Sequence, residues 1–95
     1  MKPFDELKNH YPEVIGKMDK VFNSHEFIIR LAQDYQSLYI CALYEHVKGN
    51  HPFKVTHGKL AQSLEDFDNL IEKIDNKPSK NIFGESSMAI VWRKR

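Results

Sequence analysis

A chain of 95 residues with a single cysteine, Cys41, cannot carry an internal disulfide, which excludes a cross-linked scaffold and points to a reducing, cytoplasmic setting. Long apolar runs are also missing. Nothing approaches the ~18 consecutive residues of a bilayer-spanning helix, and the opening MKPFDELKNH lacks the apolar stretch of a secretory signal, so no membrane partner is expected. Four glycines and four prolines are too few for a flexible linker or a fibrous repeat, and no segment repeats another. Catalytic signatures are absent as well. There is no glycine-rich phosphate loop after a strand, no Gly-x-Ser-x-Gly and no His-x3-His pair, so neither an enzyme nor a cofactor is expected. The five histidines, His10, His25, His46, His51 and His57, lack a recognised ligand spacing, and no metal is expected either.

Net charge is nearly absent too, at +1, but it is segregated along the chain. Residues 64–76 hold Glu65, Asp66, Asp68, Glu72 and Asp75 against Lys73; residues 77–95 hold Lys77, Lys80, Arg93, Lys94 and Arg95 against Glu85. Such asymmetry is a clue to partners, and it is also how a small protein stays soluble. What is plentiful is bulk for a core. Six Phe, four Tyr and a 41% hydrophobic fraction suit one ordered domain, which at this length buries roughly 60–70% of its unfolded surface.

The apolar spacing predicts one long central helix over residues 23–47, with Ile28, Leu31, Tyr35, Leu38 and Ala42 inward. Asn23 and Glu26 form its capping box, Gly49, Asn50 and Pro52 stop it, and Cys41 is expected inside as a small hydrophobe. Residues 3–22 read as an N-terminal helical extension broken at Tyr11-Pro12, the second piece covering residues 13–22. After the long helix, Phe53-Lys54-Val55 alternates like a short strand. Thr56 then caps a short helix over residues 57–64, and a second follows over 67–74 with Phe67, Leu70, Ile71 and Ile74 on one side. Residues 76–80, containing Pro78, read as a connection. Two strands, 81–83 and 88–92, close a hairpin around Gly84-Glu85-Ser86-Ser87.

In this order the elements resemble the winged helix-turn-helix, with residues 23–92 as its core. The most recognisable local piece is Thr56-His57-Gly58-Lys59-Leu60-Ala61-Gln62-Ser63-Leu64, where Thr56 looks like the cap and Leu60, Ala61 and Leu64 like buried positions of the first helix of the pair. The resemblance implies an α+β, mostly helical fold in which the short strand joins the C-terminal hairpin and the hairpin turn is the wing. It also implies a small regulatory or DNA-binding accessory protein whose basic groups, Lys54, His57, Lys59, Lys77, Lys80, Arg93, Lys94 and Arg95, lie along double-stranded DNA. The acidic start of the second short helix, Asp66-Phe67-Asp68-Asn69, departs from that pattern, since carboxylates repel phosphates. The alternative is a protein–protein interaction module without nucleic-acid binding. Tyr35, Tyr39 and Tyr44 then read either as core packing or as part of a dimer surface.

Overall fold

The computed structural model describes residues 2–95. The described chain runs through α1 (Pro3–Asn9), α2 (Tyr11–Lys17), β1 (Val21–Asn23), α3 (Ser24–Asp34), α4 (Gln36–Tyr44), α5 (Pro52–Gln62), a 3₁₀ segment (Ser63–Phe67), β2 (Ile71–Lys80) and β3 (Ser86–Lys94). The fold is α+β, and among the described residues no helix is long and apolar enough to cross a membrane. Proline places three of the helix starts: Pro3, Pro12 and Pro52 sit in first turns, where the missing amide would have had no partner.

Asn23 ends β1 and opens α3. Its side-chain oxygen accepts from the Glu26 amide and the Glu26 carboxylate accepts from the Asn23 amide, both at 2.9 Å, as the sequence pattern requires. Beyond this start the expected long helix does not continue. At Tyr35 the backbone turns to φ −131, ψ 57, separating α3 from α4 without a glycine or proline. The cause is tertiary. The Tyr35 ring stacks on His10 at 4.1 Å between centroids, and its hydroxyl donates to Glu13 at 2.5 Å. Both partners belong to the N-terminal helical region, so docking those helices breaks the central one.

The turn at Tyr35 resets which residues face inward. Tyr39 and Ala42 are buried, whereas Cys41, expected inside, is exposed. Of the five residues placed in the core, Ile28, Leu31 and Ala42 are buried, and Tyr35 and Leu38 are partly buried against it.

The C-terminal half departs further from expectation. Residues 53–55 are the first turns of α5 and not a strand, and Thr56 is a fully buried interior residue of that helix and not its cap. The expected helix over 67–74 is replaced by the end of the 3₁₀ segment and the start of β2. Residues 76–80, expected as a connection, belong to β2, where Pro78 lies opposite Met88 on an edge strand that tolerates a missing donor. Residues 81–83 form the hairpin turn and not a strand. The Asn81 side-chain oxygen accepts from the Phe83 and Glu85 amides, and Gly84 takes the left-handed conformation at φ +79.

Residues 88–92 are strand, as the β-branched and aromatic composition predicts. The antiparallel sheet has the order β1-β3-β2, with Phe22 opposite Trp92. Its third strand is therefore β1, drawn from a segment read as the end of a helix. The core lies where the N-terminal helices meet α3, α5 and the sheet, and Leu7, Tyr11, Val14, Phe27, Leu31, Leu60, Leu64 and Ile71 are fully enclosed there. Tyr11 anchors it, edge-on to Phe27 at 4.7 Å and stacked with Phe67 at 5.3 Å.

Candidate functional site

Pairing β2 with β3 brings the acidic and basic segments of the sequence face to face. Glu72 lies opposite Arg93 in the ladder, and Arg93 Nη2 donates to Glu72 Oε1 at 2.6 Å. This bond, more than any other influence, holds the Glu72 carboxyl below its ordinary range. Arg95 reaches the other Glu72 oxygen at 3.4 Å and donates from Nε to the Asp68 carbonyl at 2.5 Å. Lys94 donates to the Gly16 and Met18 carbonyls at 3.2 and 2.7 Å, which fastens β3 to the end of α2. Lys77 pairs with Asp75 at 3.3 Å. Four of the eight groups expected to lie along DNA are thus engaged within the fold.

The remaining four do not form one surface: Lys54 and His57 line one cleft, Lys59 borders another depression, and Lys80 borders neither. Lys54, Lys59 and Lys80 make no side-chain hydrogen bond or ion pair among the described residues. The depression at Lys59 is also lined by Lys2, Asp5, Glu45, Glu65 and Asp66, so four carboxylates outnumber two ammonium groups and disfavour a phosphate. His57 is half-buried and shares a 2.6 Å hydrogen bond with the Tyr39 hydroxyl.

The depression beside Lys54 is a cleft of about 560 Å³ between the start of α3, the start of α5 and the hairpin turn. Phe53, His57 and Phe83 form an aromatic wall. Phe53 meets Phe83 edge-on at 5.0 Å, and His57 lies nearly parallel to Phe83 at 6.4 Å and to Tyr39 at 5.8 Å. His25, His51, Glu85 and Met88 also line it. The His25 Nε2 lies 3.2 Å from the Ser87 hydroxyl, while its Nδ1 is buried without a partner among the described residues. Burial first, and the charge of His25 second, hold His57 below the ordinary histidine value of 6.5. Among the described residues no three His, Cys, Asp or Glu side chains are placed to hold a metal ion.

A second feature lies outside the cleft. Helix α4, QSLYICALY, contains no charged residue, and its apolar residues surround it. The inward side is covered, but Ile40 is 61% exposed, Tyr44 72% and Val47, just beyond the helix, 52%. Spacings of four and three residues put these on one side, with the exposed Cys41 adjacent.

Sequence reasoning marked His57, Lys54 and Tyr44 and missed Phe53, Phe83 and Met88. A phenylalanine inside the polar turn Asn81-Ile82-Phe83-Gly84-Glu85 was the available signal, because a turn has no core to place it in. No family model, no curated protein and no solved structure matches this chain.

Proposed function

We propose that this chain is a small protein-interaction domain that self-associates through the outer side of α4. The observation that carries the reading is the solvent exposure of Ile40 and Tyr44 on a helix without a single charge, with exposed Val47 just beyond its end. A helix apolar all round is normally covered all round. An uncharged stripe also accepts a second copy of itself without opposing like charges, whereas a charged one selects an unlike partner. One helix side gives an interface no larger than the low end of the stable range, about 1,200 Å², so weak, concentration-dependent association is expected. Sedimentation velocity across a concentration series tests this. The wild type should shift from monomer to dimer, and Ile40→Asp should remain monomeric while keeping its helical circular dichroism. A wild type that is monomeric at about 1 mM overturns the reading.

A duplex-binding reading keeps one specific support. The winged-helix arrangement needs a short strand joined to a C-terminal hairpin, and the order β1-β3-β2 supplies that relation with β1 in place of residues 53–55. In this reading the hairpin turn with Lys80, together with Lys54, contacts the phosphates, and Arg93, Lys94 and Arg95 contribute little because their charges are occupied. Fluorescence anisotropy with a labelled duplex at several salt concentrations tests it, the affinity falling with about −0.9 in log–log slope per phosphate contacted. No duplex affinity at low salt rejects it.

A further inference from the structure

We infer that the cleft between α3, α5 and the hairpin turn is a binding site for a planar aromatic acid, meaning a flat ring system bearing a carboxylate or similar oxyanion. Size comes first. At about 560 Å³ the cleft falls within the range of small-molecule sites, roughly 300–1,000 Å³, and it is ample for one or two fused rings. Shape favours a flat ligand. Phe53 and Phe83 are 41% and 54% exposed, an unusual cost for two phenylalanines unless something covers them, and His57 lies nearly parallel to Phe83. An aromatic ring inserted against this wall would gain both apolar burial and offset or edge contacts.

Polarity sets the other half of the ligand. The lining holds one ammonium, Lys54, one carboxylate, Glu85, and three imidazoles, His25, His51 and His57, so nitrogen donors outnumber acidic acceptors. Among the described residues Lys54 has no hydrogen-bond or ion-pair partner, and His25, one of the lining residues, leaves its buried Nδ1 without one. An oxyanion at the Lys54 end would satisfy the first and could accept a hydrogen bond from an imidazole N–H of the lining. The site is separate from the α4 stripe, and occupancy of either does not require the other.

Titration of the full chain with 2-naphthoate, followed by amide chemical shifts, tests the assignment. The expected result is saturable shifts centred on Phe53, Lys54, His57 and Phe83. Cyclohexanecarboxylate, which keeps the anion and loses the flat ring, should bind about tenfold more weakly, and 2-naphthylmethylammonium, which inverts the charge, should also bind about tenfold more weakly. Phe83→Ala, in an exposed turn, and Lys54→Ala, on an exposed helix face, should each weaken 2-naphthoate severalfold with the remaining spectrum unchanged. Absence of saturable shifts up to about 1 mM, shifts centred on Ile40, Tyr44 and Val47, or equal binding of all three compounds would each overturn the inference.

Discussion

The phenolic hydroxyl of Tyr11 donates to the backbone carbonyl of Leu60 at 2.6 Å in the middle of the core. Leu60 lies in the last turn of α5, where carbonyls lose their helical partners, so a side chain from α2 completes the end of a helix far along the chain. Burial pushes the Tyr11 phenol well above its usual value, and the group stays neutral and donating throughout the accessible pH range. Tyr11→Phe keeps the ring packing against Phe27 and Phe67 but removes the buried hydrogen bond to the Leu60 carbonyl. Its expected cost in chemical denaturation is about 1–3 kcal/mol, and Tyr11→Ala, which also opens a cavity, should cost about 3–5 kcal/mol.

Asn23 offers a second test, because its side chain works in two directions. The oxygen caps α3, and Nδ2 donates to the Ser79 hydroxyl on β2 at 3.1 Å. Asn23→Asp should retain the cap and lose the donor, while Asn23→Ala should lose both. The alanine variant is expected to lose about 0.5–2 kcal/mol in urea titration, and the aspartate variant less than that.

His57 sets a pH dependence whose sign follows from its lowered value. The folded state holds fewer protons than the unfolded state as pH falls below 6.5, the value of the free side chain, so acidification through that window favours unfolding. The contribution is present above 6.5 and lost below it. Carboxylates such as Glu72 and Asp34, held below their ordinary values by Arg93 and Arg30 respectively, lose their contributions only at more acidic pH. Comparing wild type with His57→Gln at about pH 7.5 and about pH 5.5 isolates the effect, the wild type losing more stability on acidification. Equal losses would mean that His57 titrates as it does in the unfolded chain.

Cys41 reports on the surface of α4. As an exposed thiol it should react with a disulfide reagent in the native protein without denaturant. If two copies meet on the adjacent stripe, the rate should fall as protein concentration rises, and Ile40→Asp should abolish that dependence. A rate that is independent of concentration in the wild type would detach Cys41 from any interface.

Legibility in the sequence followed the range of the governing interaction. The capping box of Asn23 and Glu26, the place of Pro12 in a first turn and the strand around Ile90 depend on near neighbours, and each could be read, whereas Pro52 reads locally as a stop and in fact opens α5. The break at Tyr35 could not, because it is imposed by His10 and Glu13 with no local breaker present. β2 was misread for a related reason: Phe67, Leu70, Ile71 and Ile74 have helical spacing, yet backbone pairing with β3 outweighs that pattern. The aromatic cleft draws Phe53, His57 and Phe83 from two distant segments, so only the oddity of Phe83 in a polar turn hinted at it. For Tyr44 composition and period left two alternatives, core packing or a dimer surface, and only the structure shows that its side chain is exposed.

The pairing of β1 with β3 has a consequence for biosynthesis. Val21 lies opposite Arg93, so the first strand made waits for roughly seventy further residues before its partner exists, several seconds or more at ordinary translation rates. During that interval the helices have emerged but Phe22 lacks Trp92, and Lys20 lacks the Lys94 amide that its carbonyl accepts. The nascent chain therefore exposes the uncharged α4 together with an unfinished core until β3 arrives.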